Sequence, residues 1–69
     1  MKSADLLRRL NRLATKRGWD IETAEGGGHT KVRFNSRRTT VPRHASDLKT
    51  GTFRAILKQL GLSETDLEV

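Results

Sequence analysis

Leu6, Leu7, Leu10, Leu13 and Ala14 recur at helical spacing and predict an amphipathic helix from about Ala4 to Arg17. Ser3 suits its N-cap, Asp5 its first turn, Lys16 and Arg17 its last, and Gly18 its end. From Trp19 to Ala24 apolar and polar residues alternate, as in a half-buried strand. Glu25-Gly26-Gly27-Gly28 then reads as a hairpin connection. In a second strand, His29 to Phe34, period two puts Thr30, Val32 and Phe34 on one face and His29, Lys31 and Arg33 on the other. Asn35-Ser36 is turn material. A third strand is expected from about Arg38 to Val41, stopping at Pro42, which has no N–H for a ladder. A loop from Arg43 to Lys49 follows. Phe53, Ile56, Leu57 and Leu60 then predict a second helix, capped by Thr50 in preference to Ser46 and ended by Gly61. Ser63 and Asp66 resemble the capping pair of one further turn.

These elements predict an α+β fold in the order α-β-β-β-α. A three-stranded antiparallel sheet with one apolar face is covered most simply by both helices on that face. The opposite face then stays open and displays His29, Lys31 and Arg33. The 69 residues allow one domain, 1–69, with a small core, since only 33% are hydrophobic. A domain of this size buries roughly 60% of its unfolded surface. The chain has no cysteine, which fits a reducing compartment. No apolar run approaches the ~20 residues of a membrane span. The leucines near the start are interrupted by arginines, unlike a signal peptide, so a cytoplasmic protein is expected.

The net charge of +6 turns the open face into a candidate site for a polyanion. Nine of the fourteen basic residues are arginine, whose planar fork suits phosphate. His29 carries the sharpest chemistry, because imidazole moves protons near neutral pH. It follows Gly26-Gly27-Gly28, which admit a close backbone approach and, through the amides of residues such as Gly28, a phosphate contact. Lys31 and Arg33 share its face. Arg37, Arg38 and Arg43 flank the third strand, as phosphate contacts or as a solvated edge. His44 is a second acid–base candidate or a loop hydrogen-bonding group. Trp19 and the basic residues of the first helix read more simply as packing and as a solvent face. The carboxylates are scattered and the two histidines lie far apart, so neither a metal site nor another cofactor is expected. No Ser-His-Asp arrangement or phosphate loop is present.

Three segments carry a family resemblance. Gly27-Gly28-His29-Thr30-Lys31-Val32-Arg33-Phe34 resembles the glycine-then-histidine strand of HicA toxins. Arg37-Arg38-Thr39-Thr40-Val41-Pro42-Arg43-His44 resembles their third strand with its Val-Pro-x-His ending. Lys49 to Gly61 is similar to their second helix, with its Lys-x-Gly-Thr start and Ile-Leu-Lys-Gln-x-Gly end. The resemblance implies a double-stranded-RNA-binding-domain-like fold and ribosome-independent cleavage of mRNA that arrests translation and growth. It implies His29 as the catalytic residue and a HicB-type antitoxin as the protein partner. Many members carry Ser or Asn before the histidine, where this chain has Gly28.

The mechanism this suggests is metal-independent endonuclease action, with His29 as general base and RNA held by Gly28, Lys31, Arg33, Arg37, Arg38 and Arg43. Lys31 and His44 are the candidates for protonating the leaving oxygen. The principal alternative is a non-catalytic module that binds double-stranded RNA by shape, and it does not call for a glycine-histidine junction. A DNA-binding role ranks below both, because nothing reads as a recognition helix of a helix-turn-helix.

Overall fold

Helix α1 spans Ser3–Arg17 and presents Leu6, Leu10, Leu13 and Ala14 to the interior. The structure, a computed structural model, describes residues 1–43 and 47–68. Gly18, at φ 68°, closes α1. Its N–H bonds to the Thr15 carbonyl and that of Trp19 to the Ala14 carbonyl, which satisfies the last carbonyls of the helix. Strands β1 (Ile21–Gly26), β2 (His29–Phe34) and β3 (Arg37–Pro42) form an antiparallel sheet in sequence order. Helix α2 (Thr50–Leu60) ends the same way as α1, at Gly61, and a single 3-10 turn (Glu64–Leu67) follows.

Both helices cover one face of the sheet. Val32, Phe34 and Val41 from the strands meet Leu6, Leu10, Leu13, Ile56, Leu57 and Leu60 in one core, which Leu48 and Leu67 complete. Along β2, exposed and buried residues alternate strictly. Trp19 packs its ring edge-on against Phe34, with centroids 5.7 Å apart, and the Arg17 guanidinium lies 4.9 Å above it. Trp19 is therefore a packing residue. Arg17 also bonds to Asp66 at 2.8 Å. The Asp66 carboxyl accepts from the Ser63 backbone and side chain as well, and the backbone bond, then Arg17, hold it below the ordinary carboxylate range. The expected Ser63–Asp66 pair is thus present.

Four sequence expectations need correcting. Ser3 does not cap α1: the helix begins at Ser3 itself, and the hydroxyl donates to the Pro42 carbonyl at 2.6 Å, fastening the helix to β3. Thr50 does not cap α2: it is the first helical residue, and Lys49, at the cap position, supplies no side-chain bond. Ser46 lies outside the described residues. Strand β1 starts two residues later than expected, because Trp19 is held by the end of α1, and runs on to Gly26, because the turn is only Gly27-Gly28. Strand β3 begins at Arg37 and does not stop before Pro42. Pro42 faces His29 at a position whose N–H would point away from β2, and the ladder resumes with the Arg43 N–H on the Gly28 carbonyl at 2.9 Å.

Both hairpin turns contain two residues, and all four have positive φ: 52° and 84° at Gly27 and Gly28, 47° and 69° at Asn35 and Ser36. Turns of this hand match the twist of the strands and favour glycine, or asparagine at the first position. Ser36 is the misfit, since a left-handed residue with a Cβ is strained by ~1–2 kcal/mol. Ser36→Gly removes that strain while adding ~0.4–1 kcal/mol of unfolded-state flexibility. The expected net gain is roughly 0.5–1 kcal/mol. Thermal unfolding should show a midpoint a few degrees higher, and an unchanged or lower midpoint would contradict the strained turn.

Candidate active site on the open sheet face

A two-residue turn at Gly27-Gly28 sets the register of β1 on β2, and the Asn35-Ser36 turn sets that of β2 on β3. Gly26 therefore pairs with His29, Ala24 with Lys31 and Glu22 with Arg33. On the other side Pro42 faces His29, Thr40 faces Lys31 and Arg38 faces Arg33. Paired residues point to one face, so the uncovered side carries three rows: Gly26-His29-Pro42, Ala24-Lys31-Thr40 and Glu22-Arg33-Arg38. Successive rows lie ~6.5–7 Å apart, two strand residues at ~3.3 Å each. A depression around these rows is lined by residues of both sides of the sheet, Gln59 of α2 among them, so it does not mark a site on the open face.

The three rows differ chemically. His29 is exposed, with neighbours that offer no side-chain polar group. Lys31 is exposed beside a methyl and a hydroxyl. In the third row Arg33 bonds to Glu22 at 2.7 Å, with Arg38 on its other flank. Among the described residues neither Lys31 nor Arg38 has a carboxylate partner. Among the described residues the three rows thus hold three cations and one carboxylate, with Asp20 beside Arg33 and Arg38 at the end of the face. An exposed imidazole at one end and unpaired cations beyond it suit an extended polyanion that brings one exchangeable proton to the histidine.

The structure brings His29, Lys31, Arg33 and Arg38 together and places Arg37 and Arg43 elsewhere. Arg37 lies one residue off in parity, on the helix-covered side, and its guanidinium lies 2.9 Å from where a Cβ on Gly61 would stand. It lies against the C-terminal end of α2, where a cation is favoured. Arg43 bonds to Glu25 at 3.1 Å, and Glu25 also accepts from Thr30 at 3.2 Å. Thr30 is buried on the core face, so this cluster lies behind the sheet. Gly28 occupies the second turn position, which by itself accounts for a glycine there. His44 lies outside the described residues. The sequence reading missed Gly26 and Pro42 as neighbours of His29, and Glu22 as the partner of Arg33. The length of the glycine turn was the signal that would have found them, because it fixes the pairing. Among the described residues no group of His, Asp and Glu is placed to hold a metal ion.

Residues 7–62, from α1 through all three strands to the end of α2, match the family model for the HicA toxin of bacterial toxin–antitoxin systems. The chain belongs to the HicA toxin family. It is 50% identical over 44 residues to a probable mRNA interferase HicA of Escherichia coli O157:H7, a stretch of 62% of this chain and 76% of that protein. The figures are the same for a probable mRNA interferase toxin HicA of Escherichia coli strain K12. Identity is 42% over 43 residues to a probable mRNA interferase HicA 1 of Photorhabdus laumondii, covering 61% and 75% of the two chains. No solved structure matches significantly. The α-β-β-β-α order and antiparallel sheet agree with the double-stranded-RNA-binding-domain-like fold that the HicA resemblance implies.

Glu22 is the one carboxylate among the three rows, and it occupies Arg33. In this HicA chain Glu22→Gln should free Arg33 for a phosphate, raising affinity for single-stranded RNA several-fold at low salt. It should also steepen the salt dependence of log K by about 0.7, the increment for one more phosphate contact on a single strand. Binding titrations across salt concentrations read both effects. An unchanged slope would show that Arg33 does not meet the polyanion.

Proposed function

We propose that this HicA toxin is an endoribonuclease that cleaves mRNA without a metal ion, with His29 as general base. The observation that carries the reading is the placement of an exposed imidazole in line with unpaired cations on the uncovered face, in a member of a family whose relatives bear the name mRNA interferase.

RNA lies along β2 with one phosphate beside His29 and following phosphates over Lys31 and Arg38, while Glu22 holds Arg33. His29 takes the proton of a ribose 2′-hydroxyl, and the oxygen attacks the adjacent phosphorus. The bond from phosphorus to the 5′-oxygen of the next nucleotide breaks. That oxygen takes a proton from Lys31, one row along and long enough to reach the same phosphate. The products are a 2′,3′-cyclic phosphate and a 5′-hydroxyl. The need for a 2′-hydroxyl makes RNA, and not DNA, the substrate. Positive charge at Lys31, in the row next to His29, stabilises the extra negative charge on the phosphorus oxygens in the transition state. Arg37 and Arg43 enter only where the RNA wraps past the edges of the sheet.

The partner is a HicB-type antitoxin that covers the open face, since masking these three rows would block the RNA. Among the described residues no helix is long and apolar enough to cross a membrane, and action on mRNA places the protein in the cytoplasm.

His29→Ala tests the reading. General base catalysis is worth ~10²–10⁴ in rate. Cleavage by the purified variant should fall by about that factor, with an unchanged circular dichroism spectrum and nearly unchanged RNA affinity, and wild-type cleavage should persist in EDTA. Normal cleavage by the variant would overturn the assignment of His29. Intact RNA after incubation with active-concentration wild-type protein would favour the non-catalytic binding module.

A further inference from the structure

The two turn glycines have a structural reason to be glycine, whereas Gly26 has none in the fold. It is a strand residue without the positive φ of its neighbours, and a Cβ built on it meets nothing within 4 Å. Glycine in a strand is unfavourable by ~0.5–1 kcal/mol relative to alanine, and β-branched residues suit such positions better. A strand glycine that its own chain does not require marks a place where another molecule comes close. Gly26 is the direct partner of His29, at about 5.5 Å between Cα atoms for a hydrogen-bonded pair, and shares its open face. Strand β1 is an edge strand, so the gap beside the imidazole is open to solvent on its far side. The opposite flank of His29 is filled by the Pro42 ring.

We infer that Gly26 is a positioning residue: its missing side chain is the seat for the ribose whose 2′-hydroxyl reaches His29. This rests on the assignment of His29 as the base. The nucleotide approaches over the β1 edge, its sugar occupies the space above Gly26, and Pro42 blocks the alternative approach from β3. A side chain at residue 26 stands in that seat and holds the sugar away from the imidazole, while the phosphates remain bound by Lys31 and Arg38.

The test compares Gly26→Ala, Gly26→Val and His29→Ala with wild type, and uses Thr23→Val as a control. Thr23 is an exposed residue of the same strand on its other face. Single-turnover cleavage of an RNA oligonucleotide, its affinity and the melting temperature are measured for each. The expected result is a graded loss of cleavage rate, severalfold for Ala and tenfold or more for Val. RNA affinity should stay within about twofold, melting temperatures should be equal or higher, and Thr23→Val should cleave normally. Wild-type cleavage by Gly26→Val, alongside an inactive His29→Ala, would overturn the seat and leave the base assignment standing. An active His29→Ala would remove the base assignment and the seat with it. A lower melting temperature for both Gly26 variants would show that the fold itself needs the glycine, which also overturns the inference.

Discussion

The parity of β2 depends on one tight turn. Gly27 and Gly28, both in left-handed conformations, join β1 to β2 with no residue to spare, and so pair Gly26 with His29. A slip of one residue would exchange the two faces of a strand. His29, Lys31 and Arg33 would then have to enter the core, and Val32 and Phe34 would face water. The hydrophobic demand of Val32 and Phe34 and the geometry of the turn agree on one register, and the chemistry of the open face follows from it.

The rest of the chain keeps that face open. Two helices suffice to cover one side of three strands, and each is stopped where it should be by a glycine whose N–H group returns to the last turn. Among the described residues three buried ones, Ser3, Thr30 and Thr39, carry polar side chains, and each finds a partner that ties elements together. Ser3 fastens α1 to Pro42, Thr39 bonds to Gln59 of α2 at 2.6 Å, and Thr30 joins Glu25 and, through it, Arg43. Arg43 and Glu25 on the covered side are therefore engaged with each other, whereas Lys31 and Arg38 on the uncovered side have no carboxylate partner among the described residues. Membership of the HicA toxin family fits that division, since a toxin needs a surface free to meet its target.

Much of this was legible in the sequence. The leucine stripe of α1, the strict alternation from His29 to Phe34 and the glycine after each helix carry short-range physical signals, and each element appears where those signals place it. Placement of the outer arginines was not legible. Arg37 and Arg38 are adjacent and identical in type, and only the register of β3, counted from the Asn35-Ser36 turn, sends one to the end of α2 and the other to the open face. Pro42 was read as a stop because it lacks an N–H, but whether that matters depends on which edge of the strand the missing hydrogen would face. Ser3 likewise has the chemistry of a cap, and it is diverted by a carbonyl 39 residues away that no local pattern reveals. What the sequence hid was in each case a partner distant along the chain.

The proposed reaction depends on His29 acting on a ribose hydroxyl, and an altered substrate examines that step without altering the protein. An oligonucleotide cut at a known position is resynthesised with a single 2′-deoxy sugar on the 5′ side of that bond, and cleavage products are mapped. If His29 acts in this way, the bond survives while neighbouring sites are still cut, and the all-ribose oligonucleotide leaves a 2′,3′-cyclic phosphate and a 5′-hydroxyl. Cleavage at the deoxy position at the normal rate would contradict it.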